Sequence, residues 1–148
     1  YETEPLSADV QITGHPVVNL WVSSTATDGD FIATVYDVDP DGNAETYNIQ
    51  GQLRASLRKL AEPPYNNLGL PWHSANEADV SPLVPGEPVE LAFPILPTSI
   101  IVKAGHRIRL AITFSGRGTP RLDPAPEVTL YRDRAHKSSL TLPIIETK

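Results

Sequence analysis

Residues 17–42, VVNLWVSSTATDGDFIATVYDVDPDG, decide the fold. Val18, Leu20 and Val22 alternate with Asn19, Trp21 and Ser23, and further on Phe31, Ala33 and Val35 alternate with Ile32, Thr34 and Tyr36. A period of two places successive side chains on opposite faces, so each run reads as a half-buried strand. The polar stretch between them, with Asp28-Gly29-Asp30, and the closing Asp39-Pro40-Asp41-Gly42 are turn chemistry: Pro presets φ and Gly accepts positive φ. Nothing in this stretch is a reaction centre.

The same signal recurs outward from it. Residues 10–13, 17–23, 31–38, 46–53, 87–95, 100–102, 107–114, 128–131 and 139–145 read as strands. In 46–53, Tyr47, Ile49, Gly51 and Leu53 share one face. In 87–95, Val89, Leu91, Phe93 and Ile95 oppose Pro88, Glu90, Ala92 and Pro94, and two prolines on one face predict an edge strand. In 107–114, Ile108, Leu110, Ile112 and Phe114 point inward, with Arg107 and Arg109 outward. Val84-Pro85-Gly86-Glu87 and Lys103-Ala104-Gly105-His106 supply further turns. Only 54–60 has room for a helical turn, which Pro63-Pro64 stops, and a long loop, 61–88, separates the two strand-rich halves. This pattern predicts an all-β sandwich, and the long crossing loops predict a jelly roll rather than a meander.

The chain has 148 residues, 15 of them Pro, which suits a single domain of short strands and rigid turns. A domain of this size buries roughly 70% of its unfolded surface. The formal charge of −6 repels a phosphate backbone and argues against nucleic-acid binding. The basic residues of 54–59, 103–109 and 117–137 read as solvated strand faces. With no Cys, disulfides and thiolate chemistry are excluded. That absence leaves the compartment open, with the cytoplasm as the default. No apolar run is long enough for a membrane helix, and no signal peptide is expected. The sequence contains no Met, which predicts a piece of a longer chain.

Candidate chemistry is sparse. No serine sits in G-x-S-x-G: Ser115-Gly116 lacks the preceding glycine, and Ser23-Ser24 lies at a strand end. His15, His73, His106 and His136 read as structural, because triad partners need not be near in sequence but must include an activated nucleophile. Asp37-Val38-Asp39-Pro40-Asp41-Gly42 has the opening rhythm of an EF-hand, but the twelfth position is Asn48 instead of Glu, so it reads as a turn with Asp side chains capping N–H groups. Asp28 and Asp30 form a second acidic loop that is a candidate for binding a hard cation. Scattered His and absent Cys leave no zinc pattern, and no cofactor fingerprint is present. Trp21, Trp72, Tyr65 and Tyr131 have the chemistry to stack on a sugar. However, Tyr65, Trp72 and His73 lie in the Pro-rich long loop and read first as a contact with a neighbouring domain.

Read together, several segments resemble one known series. They are Val22-Ser23-Ser24-Thr25-Ala26-Thr27-Asp28-Gly29-Asp30-Phe31, Asp37-Val38, Pro40-Asp41-Gly42, Gly51 with Leu53-Arg54-Ala55-Ser56, and Pro85-Gly86-Glu87. They continue with Leu96-Pro97-Thr98-Ser99, Ala104-Gly105-His106-Arg107-Ile108-Arg109-Leu110, and Ser138-Ser139-Leu140-Thr141-Leu142-Pro143-Ile144. The chain resembles the C-terminal, non-catalytic domain of the X-Pro dipeptidyl-peptidase / cocaine-esterase family of serine hydrolases. The resemblance spans nearly the whole chain and is weakest over 115–127. It implies a galactose-binding-domain-like jelly roll that packs on a separate α/β-hydrolase domain of the same parent chain. That domain would carry the Ser-Asp-His triad, and the jelly roll would help shape the active-site region and the oligomer. No triad motif falls on a position of this chain, and His106 reads as the turn into an inner strand. A homo-oligomer, or weak self-association through the surface left exposed, is expected. A carbohydrate-binding module of the same fold and a purely structural oligomerisation domain are the competing readings.

Overall fold

A computed structural model describes residues 1–114 and 123–145. The sequence-predicted Ser115-Gly116 and most of the weakly matching 115–127 segment lie outside the described residues. Eleven strands are joined almost entirely by turns and loops: β1 (Val10–Gly14), β2 (Val17–Ser24), β3 (Asp30–Val38), β4 (Ala44–Glu45), β5 (Gln50–Arg54), β6 (Val89–Pro94), β7 (Thr98–Val102), β8 (Arg107–Thr113), β9 (Val128–Tyr131), β10 (Ser139–Thr141) and β11 (Ile144–Ile145). Every strand pairing is antiparallel.

The two strands of the opening stretch are the spines of two sheets. β2 is flanked by β6 on one side and by β10 and β9, end to end, on the other. β3 is flanked by β8 on one side and by β5 and β4 on the other. A third sheet, in the order β11-β1-β7, extends β2 backward through Gly14-His15-Pro16. Val18, Leu20 and Val22 from β2 and Phe31, Ala33 and Val35 from β3 meet in one core with Leu91, Phe93, Ile12, Val102 and Ile108. Two facing sheets with inward alternation make a β-sandwich. Fully burying each large apolar side chain contributes about 1.5–3 kcal/mol against leaving it in water.

Strand β6 is an edge, as its prolines predict: its only strand partner among the described residues is β2. The edge of β8 is closed by residues 1–6. Glu2 bridges to Arg109, the Leu110 N–H donates to the Tyr1 carbonyl at 2.8 Å, and the Leu6 N–H donates to the His106 carbonyl at 2.8 Å. Covering an edge in this way removes a template for unwanted strand pairing.

Four expectations need correction. The strand expected over 46–53 begins at Gln50, because Tyr47 and Asn48 adopt positive φ of 47° and 59° and form a turn. Tyr47 is consequently exposed, whereas Ile49 and Leu53 face the core. The strand expected over 139–145 is two strands. β10 pairs with β2, and after Leu142-Pro143 the chain crosses to pair β11 with β1. Pro143 has no N–H to continue the first ladder, and its carbonyl instead accepts from the Thr13 N–H at 2.9 Å. Phe114 lies beyond β8 and is 42% exposed, resting edge-on against Phe31. Ile32, expected outward, is buried in a strand paired on both sides, with Gln52 and Thr113 directly across from it.

The turn after β3 is built by Asp39. Its Oδ1 accepts the N–H groups of Asp41 and Asn43 at 2.9 and 2.8 Å, and its Oδ2 accepts from Asn43 Nδ2 at 2.7 Å. The Asn43 side-chain amide, then the Asn43 N–H, hold the Asp39 carboxyl below its ordinary value. Asp133 is lowered likewise, first by the His136 N–H and then by the His136 ring. A carboxylate with a depressed folded pKa contributes stability that is complete above its unfolded pKa and is lost as pH falls through the folded one. Carbon-13 carboxyl NMR should therefore give midpoints below about 3.9 for Asp39 and Asp133. Both turns should hold at pH 5 and loosen only under stronger acid. Midpoints at or above the ordinary Asp value would contradict this.

Candidate functional site

Asp28, Trp72 and His73 join one hydrogen-bonded network of loops, and Asp30 lies beside it at the start of β3. The 3-10 turn Ala55–Leu57 follows β5, and its entrance is held by Asp28. Oδ1 of Asp28 accepts from the Ser56 and Gly29 N–H groups, each at 2.9 Å, and Oδ2 accepts from Ser56 Oγ at 2.8 Å. Asp30 is gripped by Arg54 through two parallel bonds of 2.9 and 3.0 Å, a fork that fixes both groups in plane. Both carboxylates of the acidic loop are thus turned onto protein donors. Among the described residues no cluster of three or more His, Asp or Glu gathers that could hold a metal ion.

The long loop is stitched to this base. The Ser81 N–H donates to the Ser56 carbonyl at 2.8 Å and the Leu83 N–H to the Thr27 carbonyl at 2.7 Å, while Leu83 plugs into the core. Lys59 pairs with Asp79, which also accepts from Ser74 Oγ. These contacts, Lys59 first, hold the Asp79 carboxyl below its ordinary value. His73 reaches the free edge of β6, with Nε2 2.8 Å from the Ala92 carbonyl and Nδ1 3.2 Å from the Lys59 carbonyl. Half-buried Trp72 gives its carbonyl to the Ala61 N–H at 3.0 Å, closing the neck of the loop.

Beyond that neck the loop is apolar and outward. Leu60, Tyr65 and Leu68 are 55%, 61% and 77% exposed. Leu68 has φ of 62°, an uncommon region for a side chain of its size. Asn66 Oδ1 accepts the Leu68 N–H at 3.1 Å and Asn67 Oδ1 the Gly69 N–H at 3.2 Å, fixing that turn. Asp28, Trp72 and His73 thus hold bracing positions, Asp30 is paired with Arg54 across β3 and β5, and Tyr65, with Leu60 and Leu68, stays exposed.

The other aromatic candidates lie on the β2 sheet. Trp21 and Tyr131 are cross-strand partners and both pack on the His136 ring, with centroids 4.9 and 5.2 Å away. Tyr131 Oη lies 3.0 Å from Ser23 Oγ, and His136 Nδ1 lies 3.2 Å from Asp133.

The sequence reading missed the pairing of buried Asp37 with half-buried His106, whose Oδ1 and Nδ1 are 2.7 Å apart. The inward phase of Phe31, Ala33 and Val35 continues to Asp37, so a carboxylate facing the core was the signal that a partner existed. Among the described residues two Asp–His pairs occur, this one and Asp133–His136. Among the described residues, no serine or threonine hydroxyl is hydrogen-bonded to any histidine ring. An acid orienting an imidazole without a nucleophile is not a hydrolytic triad.

Comparison with known proteins follows the same lines. Residues 1–140 match the family described as the X-Pro dipeptidyl-peptidase C-terminal non-catalytic domain. The chain is 42% identical, over 99% of its length, to a Mycobacterium bovis protein that carries a provisional serine esterase name, and covers 24% of that protein. It is 30% identical to the cocaine esterase of a Rhodococcus strain, again over 99% of this chain and 25% of the relative. In solved structures, a CocE/NonD family hydrolase from Staphylococcus aureus superposes with a TM-score of 0.78 at 22% identity, over 98% of this chain and 30% of that one. An α-amino acid ester hydrolase superposes with a TM-score of 0.79 at 19% identity, over 98% and 25%. The chain spans about a quarter of the length of the curated relatives it matches.

Proposed function

The chain belongs to the family of X-Pro dipeptidyl-peptidase C-terminal non-catalytic domains, and from that premise we propose that it is the accessory domain of a larger serine hydrolase. In this reading it packs on the α/β-hydrolase unit of the same parent chain and helps shape the region around the active site. Bond-breaking belongs to that unit, and the parent acts on acyl, ester or amide bonds. A jelly-roll topology of the galactose-binding type belongs to the same proposal.

The observation that carries the docking part is the braced, apolar loop. Residues 60–72, LAEPPYNNLGLPW, hold a single charge, Glu62, and present Leu60, Tyr65 and Leu68 outward on a base that Asp28, Trp72 and His73 hold in place. Aromatic and aliphatic side chains with little charge are the composition of an interface core. Inter-domain surfaces of about 600–1,500 Å² are usual, and a loop of this length supplies part of one.

Two measurements test this. The chain alone should give no turnover of p-nitrophenyl esters or X-Pro anilides above background; sustained turnover abolished by a serine-directed phosphonate would defeat the assignment. Replacing both Tyr65 and Leu68 with Ser should leave the melting temperature of the isolated chain unchanged, because both side chains are already in water. In the full parent the same change should lower the melting temperature and raise KM. Unchanged behaviour of the parent would move the contact elsewhere.

A further inference from the structure

A cleft of about 300 Å³ lies between the two sheets, away from the long loop. Its apolar wall is made by Leu20 from β2, Ile108 and Leu110 from β8, and Leu140 and Leu142 from the segment that crosses between sheets, with Thr3, Ser138 and Ser139 as polar neighbours. Tyr1 and Arg132 stand at its lip, the guanidinium 4.4 Å from the centre of the Tyr1 ring. We infer that this cleft binds an amphiphilic carboxylate, with a single aliphatic chain of medium length between the sheets and the anionic head at Arg132.

The head group follows from which polar atoms are free. Glu2 also borders the cleft, but Arg109 holds its carboxylate at 2.7 Å and Arg107 lies 3.7 Å away. Ser138 Oγ is engaged with the Tyr131 carbonyl and the Trp21 N–H at 2.6 and 2.9 Å. Arg132 differs: among the described residues no carboxylate lies within ion-pair distance of it. A guanidinium resting on an aromatic face keeps its N–H edge available, and that edge matches a carboxylate in two-point geometry. The five aliphatic side chains of the wall would leave the hydroxyls of a buried sugar unpaired on that side. The volume is at the small end of ligand sites, which suits one acyl chain rather than a two-chain lipid.

Calorimetry of the chain with hexanoate, octanoate and decanoate, kept below micelle formation, tests this, with 1-octanol as the neutral analogue. Saturable binding of one ligand per chain is expected. Affinity should rise about twofold to fourfold per methylene, the upper value being that of full burial. Amide shifts should be centred on Leu110 and Leu142. Arg132→Gln, an exposed change that leaves the core intact, should weaken octanoate about fivefold and leave 1-octanol within twofold. Leu142→Phe should weaken both by occupying the space. No saturable binding, no dependence on chain length, or an equal effect of Arg132→Gln on acid and alcohol would overturn the assignment. A concentration-dependent dimer broken by Leu142→Asp, without carboxylate binding, would give the cleft to a second copy of the chain and overturn it as well.

Discussion

Gly51→Val should strongly destabilise the fold. Gly51 lies in β5 opposite Ala33, and a Cβ there would stand 2.6 Å from the Pro94 carbonyl oxygen and 3.0 Å from Ile95 Cα. Both neighbours are backbone, so no rotamer change relieves the overlap. The site is also pinned on each side: the Leu96 N–H donates to the Gln50 carbonyl at 3.1 Å, and the Ile95 N–H donates to the Pro16 carbonyl at 2.8 Å. Making room would require parting β5 from the exit of β6, which lies at the join of the two sheets. A cost of about 3 kcal/mol or more is expected, and about 2 kcal/mol for Gly51→Ala. Against a total of about 5–15 kcal/mol, the valine variant should melt about 10 °C lower by circular dichroism. A melting temperature within a degree or two of the unsubstituted chain would show that β5 and β6 are not in contact as described.

Phe93→Ala should be comparably damaging for the opposite reason. Phe93 is 1% exposed in β6, across from Val18 and inside the core. Truncation removes the buried ring and leaves a cavity that two facing sheets cannot close, costing about 3–5 kcal/mol. Phe114→Ala is the internal control: that ring is 42% exposed and touches Phe31 only edge-on, so about 1 kcal/mol or less is expected. Urea denaturation should show a much lower midpoint for the first variant and a small shift for the second, with similar slopes. Equal effects would mean that the centre of the core lies elsewhere.

These sites also mark what the residues disclosed in advance. β2 and β3 were legible because their alternation is clean and one face is wholly apolar. The edge position of β6 was legible from Pro88 and Pro94. The false start at 46–49 was not, because Tyr47 and Asn48 hold left-handed backbone inside a stretch that still alternates by composition. The crossing at Pro143 was overlooked although Pro is a ladder breaker, since the apolar residues on either side keep the same rhythm. In the loop network, composition singled out Tyr65, Trp72 and His73 but could not divide anchors from presented surface. That division depends on His73 reaching carbonyls of β6 and of residue 59, and on the Trp72 carbonyl accepting from the Ala61 N–H. Asp28 and Asp30 are visible in the sequence as acids, but their donors, Ser56 and Arg54, are not.

The passage of one segment from β10 to β11 has a dynamic consequence. A continuous thread sewn through two fabrics prevents either from lifting away alone. Exchange of the Thr13 amide, which relies on Pro143, should therefore track that of its neighbours on β2, with both regions opening in one event rather than as separate flaps. A domain that yields all at once or not at all suits a fixed bracket better than a moving lid.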